Sequence, residues 1–309
     1  MNNFSSNYKV LTIQESLIVI FALIGLAGNA TVLWLLGIQR HKKAISVYIL
    51  NLAISDFLFL CCLLVFFLWN LIDRFDYNYF KHIHAAGMCF YIVSLSMLSA
   101  ISMERCLVIL FPIWYHCHRP RYMSDVMCSL LWVLSLLFTT LTHISHNFPS
   151  GFIRLDMGMR FFAVSCLTIL FVVLCGSNMV LLIRMLCGST RLPLTRLYVT
   201  IGLSVLIFLV CSLPICVVTV WGDTIILKIG LKYQIFERTA YLLSGVNSSA
   251  NPIIYFFVGS FRQKQQQRWK PQSLKLVLQK ALEDGGEREN SGERLAQERV
   301  ELSEHVRSS

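Results

Sequence analysis

Hydrophobic and polar positions alternate on the scale of whole segments, not of single helical turns. Residues 16–39 contain no Asp, Glu, Lys or Arg. The same holds for 85–103, 126–147, 161–183, 197–222 and 239–260, and for 44–72 apart from Asp56. About 20 apolar residues cross the ~30 Å hydrocarbon core of a bilayer as a helix. Only helices and closed barrels satisfy their backbone polar groups there. The pattern therefore predicts an all-α membrane protein, a seven-transmembrane helix bundle. Residues 1–15 read as an extracellular N-terminus and 16–260 as the core. Residues 261–270, with Phe261 and Trp269 among Arg and Lys, read as a short amphipathic helix on the membrane surface. Residues 271–309 read as a cytosolic, largely disordered tail, rich in Glu, Arg, Ser and Gly.

Composition agrees with a membrane solvent. Of 309 residues, 56% are hydrophobic and 14% charged, and mean hydropathy is +0.62. Soluble domains carry about a quarter charged residues. Charge then sets orientation. Fourteen Lys and Arg, up to Lys280, follow spans one, three, five and seven; eight lie on the other face, beside six acids. The richer face is expected to be cytosolic, with the N-terminus outside and the chain in the plasma membrane. The net charge of +10 suits anionic lipid and requires no nucleic acid. No cleavable signal peptide is evident, because the first apolar run starts late and is too long. Asn3 heads an outer glycosylation sequon. All eleven cysteines fall in spans or on the cytosolic side, so an outer disulfide is not expected.

Asp56 is the one carboxylate deep in a span, which by itself suggests function. Asn29, Ser94, Asn247 and Asn251 lie at comparable depth. These residues could gather as a site for a sodium ion, or as a hydrogen-bonded packing network. Pro252, between Asn251 and Tyr255, and Pro214 in span six would kink their helices and give the cytosolic ends hinges. Glu104, Arg105 and Cys106 close span three at its cytosolic end. Glu104 is expected to pair with Arg105 locally, and Arg105, once released, to offer a forked donor to a cytosolic partner.

These residues form an ordered set: Gly28-Asn29, Leu-Ala-Ile-Ser-Asp at 52–56, Glu104-Arg105-Cys106, Trp132, Pro214, and Asn-Pro-Ile-Ile-Tyr at 251–255. The set resembles the rhodopsin-like G-protein-coupled receptors. The wording at 30–37, 46–53, 112–115, 192–198 and 251–261 is similar to the Mas-related family. That resemblance implies coupling to heterotrimeric G proteins of Gq and Gi type. It also implies peptide or small amphiphilic ligands, and roles in sensory neurons or mast cells, in itch and nociception. There are departures. The family's acids for cationic ligands match Thr142 and Arg160 here. Its outer cysteine pair matches His146 and Asp156, so a contact between these two is expected instead. Ser212 replaces a tryptophan near Pro214, and no lysine in span seven could hold retinal.

Tyr91, Trp221, Phe236 and Tyr241 are candidate pocket aromatics toward the outer mouth; interface anchoring or packing is the alternative. Asp223, with Asp156, Arg160 and Lys228, could set ligand charge preference. A transporter or channel would need several embedded charges along a path, and only Asp56 is deep. An enzyme is not expected. His82, His84, His116, His118, His143 and His146 flank the spans on two faces, without convincing metal or nucleophile geometry at one depth.

Overall fold

The computed structural model describes residues 2–38, 44–71, 77–120, 122–147 and 231–266, with scattered helical positions between 158 and 218. Every regular element among the described residues is helical. We number the continuous helices α1 (Asn2–Gly37), α2 (Ala44–Leu71), α3 (Tyr77–Leu110), α4 (Pro112–Cys117), α5 (Met123–Asn147) and α6 (Leu231–Gln266). Residues in the fifth and sixth apolar runs are described only at isolated positions.

Four helices contain segments long and apolar enough to cross a membrane: Lys9–Gly37, Ala44–Trp69, Lys81–Val108 and Met123–Ile144. Their exposed faces confirm the solvent. On α5, Val126, Leu130, Val133, Leu134, Leu137 and Leu141 all point away from the protein. In water such a stripe would be a large exposed apolar patch; against lipid it is the expected outer surface. α6 is the polar span, with Ser244, Asn247, Ser248, Ser249 and Asn251 all buried. Its interior position makes those residues affordable.

α1 begins at Asn2, where the apolar pattern placed the span start at 16. No proline interrupts residues 2–37, and the extra turns are tied down. Gln14 Nε2 donates to Thr239 Oγ1 at 2.8 Å, and Glu15 is ion-paired with Arg238. α6 runs without a break across Ser260 to Gln266, so it takes in the first six residues of the segment read as a surface helix.

α3 and α4 are separated by local chemistry. A residue before proline is pushed out of the α region, and Phe111 has φ −128° and ψ 58° ahead of Pro112. Pro112 then occupies the first turn of α4, where its missing N–H costs nothing. The six residues of α4 end at His118, whose N–H donates to Trp114 O at 2.8 Å. Asp125 in the first turn of α5 complements the positive end of that helix dipole.

α1 packs on α2 and α6, α2 on α3, and α3 on α5. Two apolar layers result. One holds Ala22, Phe59, Leu63, Phe66, Tyr91 and Tyr241, with Ile215 and Val218 from the sixth run. The other holds Val32, Leu36, Tyr48, Leu52, Met97 and Ile101. A polar layer lies between them. Trp132 Nε1 donates to Asn51 Oδ1 at 3.1 Å and its ring meets Phe90 edge-on, which fixes α5 to both α2 and α3.

Candidate functional site

The polar layer is centred on Asp56, which is 0% exposed. α2 presents its carboxylate to two donors from other helices. Ser94 Oγ of α3 donates to Oδ1 at 2.6 Å, and Asn251 Nδ2 of α6 donates to Oδ2 at 2.8 Å. Three spans thus meet on one acid. Asn29 and Asn247 are buried as well; of these two, Asn29 reaches α6 through Ser248 O. The arrangement suits oxygen ligation of a hard cation. Besides the Asp56 oxygens and Ser94 Oγ, the buried Ser248 Oγ lies beside the carboxylate as a further oxygen, and the buried amide nitrogen of Asn247 has no hydrogen-bond partner.

Pro252 explains why Gly28 and Asn29 adjoin it. A proline inside a helix leaves the carbonyl four residues earlier without its N–H donor. Here that carbonyl is Ser248 O, and Asn29 Nδ2 of α1 donates to it at 3.2 Å. Asn29 Nδ2 also donates to Gly25 O at 2.9 Å. Gly28 lets the helices approach: a Cβ there would stand 3.0 Å from Pro252 Cβ. Gly25 is tighter still, since its Cβ would meet Leu60 Cδ1 at 2.6 Å and collide with Ser249 Oγ.

The end of α3 carries the second cluster. Glu104 is 3% exposed. Arg119 Nη2, in the loop after α4, donates to Glu104 Oε1 at 2.8 Å, and Tyr48 OH of α2 donates to the same oxygen at 3.1 Å. Glu104 Oε2 accepts no hydrogen bond. Among the described contacts the ion-pair partner of Glu104 is Arg119, where the adjacent Arg105 was expected. Consecutive helical side chains diverge, so the carboxylate turns to Arg119, brought back by the short α4. Arg119 also donates to Ser124 Oγ, and its guanidinium lies 5.0 Å from the Tyr115 ring centroid. Burial opposes the Arg119 charge, but the hydrogen bond and negative charge of Glu104 outweigh it and hold the guanidinium above its ordinary pKa. Cys106 Sγ donates to Ser177 O at 2.7 Å, linking α3 to the fifth run.

The opposite end of the bundle holds a small apolar cleft lined by Phe59, Cys62, Phe66, His84, Met88 and Tyr241. Tyr241 is the one candidate pocket aromatic among its lining residues. Tyr91 is buried against Phe59, at 4.9 Å between ring centroids, because its position on α3 faces α2. Phe236 is 39% exposed, on the outer side of α6. Thr142 donates to Phe138 O at 2.8 Å within its own helix. Pro214 is a half-buried helical position. Asp156, Arg160, Trp221 and Asp223, and the side chains of Asn3, His146 and Tyr255, lie outside the described residues. Asn3 and Tyr255 are helical in backbone, as is His146. None of the nine described cysteines is in a disulfide.

Sequence reasoning missed Tyr48, Ser124 and the role of Arg119 toward Glu104. A signal did exist: a basic residue shortly after a Pro-initiated turn can fold back on the helix end before it. It also missed the Glu15–Arg238 pair, which joins residues far apart in the chain.

The comparisons agree with this geometry. Residues 28–255 match the family described as 7 transmembrane receptor (rhodopsin family). Over 299 residues the chain is 49% identical to Mas-related G-protein coupled receptor member X3 of Homo sapiens, covering 96% of this chain and 91% of that one. It is 47% identical over 301 residues to member X1 of Homo sapiens, with coverage of 96% and 91%. Member A1 of Mus musculus is 46% identical over 286 residues, covering 89% and 90%. Nothing in these matches supports a transporter, a channel or an enzyme. With the motif residues Gly28 to Tyr255 inside the matched region and Asp56, Ser94 and Asn251 joined across three spans, this chain belongs to the rhodopsin-family seven-transmembrane receptors, within the Mas-related G-protein coupled receptors.

Proposed function

We propose that this receptor senses an extracellular peptide or small amphiphilic ligand and activates G proteins of Gq and Gi type, in sensory neurons or mast cells, in itch and nociception. In this reading the N-terminus is extracellular, Asn3 can carry a glycan, and the Glu104 end faces the cytosol. The supporting observation is the Glu104 cluster. A buried carboxylate held by Arg119 and Tyr48 is a fastening at the helix end that a G protein must reach. A ligand with differential affinity for the opened state shifts the population toward it. Helix ends then part about Pro214 and Pro252, and Arg105 presents its forked donors to the G protein.

A sodium ion would be held by Asp56, Ser94 and Ser248, where it would neutralise a buried carboxylate charge. Those side chains tie α2, α3 and α6 into one unit, and their rearrangement is the step between ligand and cytosolic end. Ligand charge preference is assigned to Thr142, Asp156, Arg160 and Asp223, with Trp221 and Tyr241 as aromatic contacts.

The test is calcium release and cyclic-AMP suppression in cells expressing the wild type or Arg105→Ala at matched surface levels. Basal signalling, or a response to cationic, neutral or acidic amphiphilic peptides, is expected in the wild type and lost in the variant. Full signalling by Arg105→Ala would refute the role given to that residue.

A further inference from the structure

His82 and His143 come from different helices and meet at the end of the bundle opposite Glu104. His82 lies near the start of α3 and His143 in the last turns of α5. Their rings are 5.0 Å apart between centroids, with 30° between planes. His82 is exposed and His143 half-buried, with His143 Nε2 sealed from solvent, so an ion would reach the pair from the His82 side.

Two imidazoles that share a tetrahedral zinc, each at about 2.0–2.1 Å from metal to nitrogen, place their ring centroids roughly 5 Å apart. The observed separation already matches. The planes lie 30° apart, so the rings must turn about their side-chain torsions to aim one nitrogen of each at a common point. The α3–α5 packing, with Trp132 of α5 against Phe90 of α3, sets the spacing. Imidazole nitrogen is a preferred ligand of zinc among divalent ions, whereas magnesium and calcium favour oxygen.

We propose that His82 and His143 form a zinc-binding site that bridges the ends of α3 and α5. Among the described residues no group of three His, Cys, Asp or Glu side chains could hold a metal. With two described protein ligands, the ion is exchangeable, not a structural fixture. Bound zinc staples two helices that belong to the moving bundle, so it favours whichever state keeps their ends together. The inference goes beyond the proposed signalling role and depends on neither the ligand nor the G protein.

The experiment uses the full-length receptor, purified in detergent without a polyhistidine tag, at about pH 7.5, because metal affinity depends on pH. Thermal unfolding is followed with zinc chloride, with magnesium chloride and with neither. Zinc is expected to raise the Tm of the wild type by about 5 °C, and magnesium to leave it unchanged. His82→Phe and His143→Phe keep an aromatic ring but remove the ligand, and each should lose the zinc shift. His82→Cys supplies another zinc ligand and should retain it. Equilibrium dialysis should count about one zinc fewer per receptor in either Phe variant, which reads out the site even if a variant is less stable. No zinc shift in the wild type, or an equal shift and zinc count in both Phe variants, would overturn the proposal.

Discussion

Glu104 shows how much hangs on a single carboxylate. One of its oxygens takes two hydrogen bonds and the other none, and the group is nearly sealed from solvent. Removing one partner of a buried ion pair is costly because a charge is left uncompensated. That cost falls on the state in which the pair exists. Arg119→Ala should therefore destabilise the fastened state and raise basal signalling about tenfold, the equivalent of ~1.4 kcal/mol. Ligand-independent calcium and cyclic-AMP assays check it, and unchanged basal output would mean that the pair persists on activation. Composition alone had named Glu104 and Arg105 as neighbours in a greasy segment. It could not name Arg119, because the turn that returns it is set by Phe111 and Pro112 together with packing on Tyr115.

At the scale of elements, α1 and α6 are held by a repair. Pro252 removes one rung of the α6 ladder, and Asn29 of α1 replaces it at Ser248 O. An unsatisfied buried carbonyl costs on the order of 1–3 kcal/mol. Asn29→Ala should accordingly lower Tm by about 4 °C, measured on purified receptor by thermal unfolding. A Tm within error of the wild type would show that water or another donor takes over. Gly28 and Gly25 belong to the same contact, since each occupies a place where a side chain would strike α6 or α2. The Gly-Asn pair was legible in the sequence as a motif. Its purpose was not, because the carbonyl it serves lies 219 positions away.

At the scale of the whole molecule, one end of the bundle carries a set of charges joining the first and last spans. Glu15 pairs with Arg238, and Arg238 lies over the Phe67 ring at 5.4 Å. Glu237 stands beside this pair, ahead of the span proper, and burial raises its carboxyl pKa to about 7. A folded-state value above the unfolded one means that the folded receptor prefers the protonated acid. The resulting stabilisation is complete below about pH 4.5 and is lost as pH rises through about 7. Thermal unfolding between about pH 4.5 and 7 should then show Tm falling with pH, and Glu237→Gln should flatten that slope. An equally steep slope in the variant would assign the effect to other groups.

What the sequence by itself determined is the membrane class, the positions of the apolar runs and the polar residues that punctuate them. These follow from local chemistry: a lipid solvent demands long uncharged helices, and proline marks its own kinks. Tertiary structure alone decided the partners. Asp56 could have met any of several polar side chains, and packing selected Ser94 and Asn251. Glu104 had an arginine next to it and bonded to another. Tyr91 and Phe236 were equal candidates for a pocket, until helix rotation buried one and exposed the other. Hydrogen bonds and ring contacts act over a few ångströms, and only the packing of helices distant in the chain brings such groups within that range.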